Sequence, residues 1–347
     1  MSTDVLQAGT ELAGYRIERH VAHGGMGEVY EATQLSLDRR VALKLIALRL
    51  GTDERFRERF RREARSAASI DHPNILPVYE TGELPNGRLF LAMRFVDGPD
   101  LSSLLREQGP LDPEQTVAIL HQVGDALDAA HQRGLIHRDV KPANVMLEAS
   151  NDGWHAYLTD FGLAKPNDQQ SEHTASGEIL GTIDYMAPEQ INGAPLDRPA
   201  DVYSFGCMVY RCLTGEVPYK RETRTATIIA HANAPVPLPS QALAGVPAPL
   251  DVVVQRAMEK DPEKRAASAG ALMRWAARQL ASEAAAQPQV TDESPTEDTM
   301  LKPPEPPPAA PDPERPGRGR SFLTTALLHG AAYIPIWIGT YLLGRSL

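Results

Sequence analysis

The sequence predicts an α+β protein of two unequal lobes, a small β-rich one followed by a larger helical one, and three observations carry that prediction. From Tyr15 the text alternates apolar with polar residues, as in Tyr15-Arg16-Ile17-Glu18-Arg19, the period of a half-buried strand. Beyond Leu101 apolar residues recur every three or four positions, as Val117, Leu120, Val123, Leu127 and Ala130 do, the period of a helix face. Between the two stretches stands Asp97-Gly98-Pro99-Asp100, which reads as a hinge. A length of 347 residues with 42% hydrophobic content supports one large bilobal domain or two ordinary ones, with a real core. The formal charge of −10 argues against nucleic acid as a partner, because a duplex demands a basic face. Cys207 and Cys212 both fall in an apolar run and read as reduced core thiols. The first twenty residues have neither the basic start nor the apolar core of a signal peptide, so the amino terminus is expected in the cytoplasm.

Residues 1–14 read as a polar lead-in. A strand, a glycine turn and two more strands follow: Tyr15–Val21, then Ala22-His23-Gly24-Gly25-Met26-Gly27-Glu28-Val29, then Val41–Ile46. Glycines let a backbone approach a phosphate closely and aim N–H groups at it. Lys44 comes seventeen residues after Gly27 in a strand with no other charge, and a buried ammonium needs an anionic partner. The helix expected over residues 53–70 supplies one, since Glu63 shares a side with Phe56, Phe60 and Ala67 and is expected to face Lys44. The six arginines from Arg55 to Arg65 read as a solvated helix face, with a dock for a phosphorylated loop as the sharper alternative. Strands over Ile75–Glu80 and Arg88–Arg94, and helices over Leu101–Glu107 and Pro113–Arg133, complete this half.

The densest chemistry lies in His137-Arg138-Asp139-Val140-Lys141-Pro142-Ala143-Asn144. Asp139 can accept a hydroxyl proton, Lys141 can hold phosphate oxygens, and Asn144 offers Mg²⁺ a neutral oxygen; phosphoryl transfer needs those three groups. A hairpin then runs through Val145-Met146-Leu147 and Ala156–Thr159 to Asp160-Phe161-Gly162, where Asp160 suits a second metal ligand on a pivot. Residues 163–181 read as a polar loop containing Thr174 and Ser176, followed by Thr182 and Ala187-Pro188-Glu189. Asp201 opens a run from Ala200 to Leu213 that reads as a buried helix. It is costly there unless it caps backbone or pins the catalytic loop. Helices over Leu250–Glu259 and Ala266–Ala281 close the domain.

With these parts in this order, residues 15 to about 280 resemble a eukaryotic-type (Hanks-type) serine/threonine protein kinase of the kind found in bacteria. The resemblance implies a bilobal fold, with an N-lobe over 15–95 and a C-lobe over 96–280. Gly24, Gly25, Gly27 and Val29 match the glycine-rich loop, Lys44 the strand lysine and Glu63 the helix glutamate. Asp139 and Asn144 match the catalytic loop, Asp160 the metal-binding Asp-Phe-Gly, and Glu189 a glutamate that pairs with an arginine placed like Arg265. Lys141 and Thr182 are the forms typical of Ser/Thr rather than Tyr kinases. Implied cofactors are ATP and Mg²⁺, with Mn²⁺ as a substitute, and the implied partners are protein substrates. Adenine is expected among Val21, Val29, Ala42, Met93 and Met146, bonded to hinge backbone near Arg94 and Val96. Arg138 beside the base implies a phosphate on Thr174 or Ser176 that orders the loop, with autophosphorylation through a dimer as a route. Two departures stand out. Ala22 replaces the first glycine and stiffens the loop, and Arg94 replaces an acidic or neutral hinge residue, with little effect expected on ATP.

Residues 281–321 are rich in Pro, Ala and Glu and read as a disordered juxtamembrane linker. From Phe322 to Gly344 no charge occurs, and those residues as a helix match a bilayer core of roughly 30 Å. A transmembrane span over 322–344 is expected, with a helix docked on the kinase as the alternative that His329 and Pro335 keep open. Arg315, Arg318 and Arg320 precede it against Arg345 after it, which places the kinase on the cytoplasmic side of a single-pass protein. Only residues 345–347 follow, so no external sensor domain is expected on this chain.

Overall fold

A computed structural model describes residues 5–24, 27–151, 153–161 and 183–286. Six antiparallel strands form the first lobe: β1 (Glu11–Leu12), β2 (Tyr15–Gly24), β3 (Gly27–Gln34), β4 (Arg39–Ile46), β5 (Val78–Glu83) and β6 (Leu89–Arg94), in the order β1-β2-β3-β4-β6-β5. The two-residue period of the strands sorts their side chains. Val41, Leu43 and Leu45 join Tyr15, Ile17, Tyr30 and Phe90 on one face. Ala42 and Ile46 turn the other way, toward Phe56, Phe60, Leu91 and Met93, and Lys44 shares their side.

A one-turn helix α1 (Leu48–Gly51) leads to α2 (Glu54–Ala68), which begins where the Asp53 side chain accepts a hydrogen bond from the Arg55 N–H. Its inner face buries Phe56, Phe60, Glu63, Ala64 and Ala67. Arg57 pairs with Glu83 and reaches the Gly87 carbonyl at 3.3 Å, tying α2 to the turn before β6.

In the second lobe α3 (Leu101–Gln108) and α4 (Pro113–Gln132) precede the hairpin β7 (Val145–Ser150) and β8 (Gly153–Leu158). The helices α5 (Pro188–Ile191), α6 (Arg198–Thr214), α7 (Arg224–Asn233), α8 (Pro239–Ala242), α9 (Ala248–Ala257) and α10 (Ala269–Ala286) follow. Leu120, Val123 and Leu127 of α4 meet Val202, Phe205 and Val209 of α6 and Leu250 and Val253 of α9 in one core. Cys207 and Cys212 are buried in it and unbonded to each other, and burial raises both thiols, which keeps them unreactive. α10 lies against α4 at Gly124, where a Cβ would sit 2.9 Å from the Gly270 nitrogen.

The polar lead-in is more than that: β1 pairs with β2, and Leu6 and Leu12 pack on the sheet's outer core. The last helix runs to Ala286, past the boundary expected at 281, because Ala-rich sequence continues a helix readily. Among the described residues no helix is long and apolar enough to cross a membrane; the expected span 322–344, the tail and most of the linker lie outside them.

Candidate active site

The site is built on one buried carboxylate. Asp201, at the start of α6 and 1% exposed, accepts from the backbone N–H groups of His137 and Arg138, each at 2.7 Å. Its Oδ2 also lies 2.8 Å from His131 Nε2. These bonds fix a turn in which Arg138 has φ 64°, a left-handed conformation that costs a non-glycine residue roughly 1–2 kcal/mol. His137 is fully buried and its pKa is lowered by that burial, so its ring is neutral. The Asp139 N–H donates to its Nδ1 at 3.3 Å, which leaves Nε2–H to donate to the Thr159 carbonyl at 2.9 Å. The imidazole therefore links the loop from His137 to Asn144 to the strand end that carries Asp160.

Around Asp139 the expected groups converge. Lys141 Nζ stands 2.8 Å from Asp139 Oδ2. Asn144 donates its amide to the Asp139 carbonyl at 2.7 Å and to Oδ2 at 3.2 Å. With Nδ2 so committed, Oδ1 is the Asn144 atom left for a ligand. Asp160, with φ 62°, brings a carboxylate to the same cleft. Two hard oxygen donors and few others suit Mg²⁺, which takes most of its shell from phosphate and water.

The cations and carboxylates of the cleft are partnered otherwise than the sequence leads one to expect. No ion pair joins Glu63 to Lys44. Lys44 Nζ lies 2.7 Å from Asp160 Oδ1, and Glu63 Oε1 accepts from Arg138 Nη1 at 3.0 Å. Glu63 points inward from α2 as its helical position requires, and it meets the guanidinium because the left-handed turn at Arg138 carries that side chain toward α2. Burial raises the Glu63 pKa, and Arg138, Arg59 and Arg62 oppose the rise.

Of the residues expected around adenine, Val29, Ala42 and Met146 are half-buried, Met93 and Val96 buried, and Val21 and Ala22 exposed. The Arg94 N–H serves the sheet by donating to Pro77 O at 3.0 Å. Its side chain crosses to the second lobe, 2.9 Å from Glu148 Oε2 and 5.0 Å from the Tyr157 ring centroid. Behind the site Arg265 grips Glu189 through both nitrogens at 2.6 and 3.0 Å. It also donates to the Pro199 carbonyl at 2.7 Å, so α5 and α6 are joined.

Gly25, Thr174, Ser176 and Thr182 lie outside the described residues. Sequence reasoning missed His131, Glu148 and the Glu28–Arg88 pair. A histidine six positions before His137, at the end of a long amphipathic helix, was a readable hint for the first.

With that geometry in hand, comparison with known proteins is direct. A family model described as protein kinase domain matches residues 15–276, and the chain belongs to that family. Serine/threonine-protein kinase PknE of Mycobacterium tuberculosis is 42% identical over 284 residues, covering 82% of this chain and 49% of that protein. PknD of the same organism is 43% identical over 273 residues, covering 78% and 40%. The solved PknI kinase domain of M. tuberculosis aligns with a TM-score of 0.64 at 33% identity, over 79% of this chain and 100% of that one. The chain spans about half the length, 49%, of the first curated relatives it matches.

Proposed function

We propose that this protein transfers the γ-phosphoryl group of ATP to serine and threonine hydroxyls of protein substrates. The observation that carries the reading is the catalytic loop, where Asp139, Lys141 at 2.8 Å and Asn144 at 3.2 Å share one carboxylate. The acceptor oxygen forms a bond to the γ-phosphorus as the β,γ-bridging P–O bond breaks; ADP leaves, and the hydroxyl proton passes to Asp139. Lys141 holds γ-phosphate oxygens and Lys44 the α- and β-phosphates, placing phosphorus in line with the acceptor. Asn144 and Asp160 would hold Mg²⁺ or Mn²⁺, which neutralises phosphate charge when bound. Adenine lies among Val21, Val29, Ala42, Met93 and Met146, and Thr182 borders the acceptor.

Regulation belongs to the same reading. A phosphate on Thr174 or Ser176 competes for Arg138 and releases Glu63 toward Lys44, and a second copy of the chain supplies it. Residues 322–344 anchor the kinase as a single-pass membrane protein, beyond a linker that follows α10, with the catalytic domain cytoplasmic. PknE and PknD carry the name serine/threonine-protein kinase, which supports the substrate class.

The test is radiolabel transfer from ATP by the parent and by Asp139→Asn, with phosphosites mapped and membrane extraction followed in parallel. Label at Thr174 or Ser176 that disappears in the variant upholds the reading. Nucleotide-dependent thermal stabilisation without any transfer would favour a binding scaffold instead.

A further inference from the structure

We propose that the buried pair Glu28–Arg88 positions the glycine-rich hairpin for the phosphates of the nucleotide, and this rests on the kinase reading above. Glu28 is 2% exposed and Arg88 7% exposed, both far from water for charged groups. They meet at 2.8 Å, Arg88 Nη2 to Glu28 Oε2. The same guanidinium donates to the Ile46 carbonyl at 2.8 Å and the Leu45 carbonyl at 3.2 Å. Glu28 also accepts from the Tyr30 hydroxyl at 3.0 Å, and that hydroxyl accepts from the Leu6 N–H at 3.1 Å.

These contacts fall where the phosphate loop is rooted. Gly27 pairs with Ile46, Glu28 with Leu45, and Val29 with Lys44 across β3 and β4. The two carbonyls that Arg88 holds therefore belong to the residues opposite Gly27 and Glu28. Gly27 has φ 142°, and any Cβ on it would overlap the Leu45 carbonyl oxygen, so the hairpin presses directly on the atom that Arg88 fixes. Arg88 itself comes from a turn that is held twice. Its N–H donates to Asn86 Oδ1 at 3.1 Å, and Arg57 of α2 reaches the next carbonyl back, Gly87, at 3.3 Å. One side chain thus ties β3, β4 and the turn leading into β6 together behind the glycines, and α2 holds that turn.

Stability alone is a poor explanation of such a pair, because apolar residues of similar volume often serve a buried site as well or better. What an arginine adds is direction: its planar fork fixes three acceptors at once. Glu28 alternates with Val29, so it lies on the sheet face away from the cleft and touches no substrate. The two are positioning residues. Their effect is on where the backbone N–H groups of the hairpin meet the phosphates, so losing them lowers the preorganisation of the nucleotide site and weakens nucleotide binding.

The experiment compares Arg88→Lys, Glu28→Gln and the apolar double variant Glu28→Met/Arg88→Met with the parent. It measures Tm, ADP affinity by calorimetry, and kcat with separate KM values for ATP and acceptor peptide. The expected result is an ADP Kd and a KM for ATP raised about fivefold or more in the double variant and about threefold in Arg88→Lys, with kcat and acceptor KM within twofold. Parent values for nucleotide in the folded variants would overturn the proposal. So would an equal loss in kcat and both KM values, which marks a general structural support. Should the double variant fail to fold, Arg88→Lys and Glu28→Gln decide by the same criterion. A parent that binds ADP but transfers no phosphate would count against the kinase reading, and the calorimetry would still decide this one.

Discussion

Glu63 and Arg138 meet at 3.0 Å across the two lobes, while Lys44 and Asp160 meet at 2.7 Å on the other side of the cleft. Each carboxylate holds the cation that the sequence would have given to a different partner. Moving Glu63 from Arg138 to Lys44 would take a carboxylate from a largely buried guanidinium, a cost that an incoming anion at Arg138 would offset. Glu63→Gln keeps the shape and removes the charge. We expect kcat to fall about tenfold or more with ADP affinity changed less, as steady-state kinetics beside calorimetry will show.

The same carboxyl has a pH signature. Burial raises its folded pKa above the unfolded value, with Arg138, Arg59 and Arg62 opposing. A group raised in this way favours folding while protonated, and that contribution is lost as pH rises through the folded pKa. The Tm difference between Glu63→Gln and the parent should therefore grow in favour of the variant as pH rises through the acidic range. A difference independent of pH would contradict the assignment.

Asp139→Asn removes the proposed base while keeping an oxygen that can accept from Lys141 and Asn144, at the loss of the charge paired with Lys141. Transfer should fall by about 10²–10⁴-fold, with nucleotide-dependent stabilisation retained. Radiolabel incorporation beside a thermal melt separates the two effects.

His231 gives the second lobe its acid sensitivity. Burial first, and then the charge of Lys260, lowers its pKa from 6.5 to about 4. Below about pH 6.5 the unfolded chain takes up a proton that the fold refuses, so stability falls between pH 6.5 and 4 by roughly 3 kcal/mol at most. His137, lowered by its burial, adds to the loss with the same sign. Urea midpoints across this range should drop less for His231→Phe than for the parent.

Arg265 is the support whose removal should hurt most. Its side chain is fully buried against Glu189, so Arg265→Ala leaves an uncompensated carboxylate and should cost about 3–5 kcal/mol. Chemical denaturation reads this directly, and Arg265→Lys should recover only part of it because the bidentate grip is lost.

Much of this was legible because it is local. The alternation in Val41–Ile46, the helical spacing of Phe56, Phe60 and Glu63, and the eight residues from His137 to Asn144 each declare themselves within a few turns of chain. What stayed hidden is pairing across distance. Glu28 and Arg88 stand 60 positions apart, Arg94 and Glu148 54, and His131 and Asp201 70. A buried charge announces that it needs a partner but not which one, so Lys44 and Glu63 could be seen as needy and still be matched differently. The lead-in looked merely polar because Leu6 and Leu12 are too few to set a period.

Arg94 has one further consequence. Its bond to Glu148 and its place on Tyr157 bind the two lobes along the spine of the cleft, whereas the glycine hairpin has no such tie to the second lobe among the described residues. Glu63–Arg138 and Lys44–Asp160 also join the lobes, through side chains that are for the most part better shielded from water. Because the Arg94 and Glu148 side chains are 40% and 30% exposed, dissolved salt reaches that binding. Ionic strength, which leaves the buried pairs almost untouched, should therefore loosen the lobes at Arg94 first.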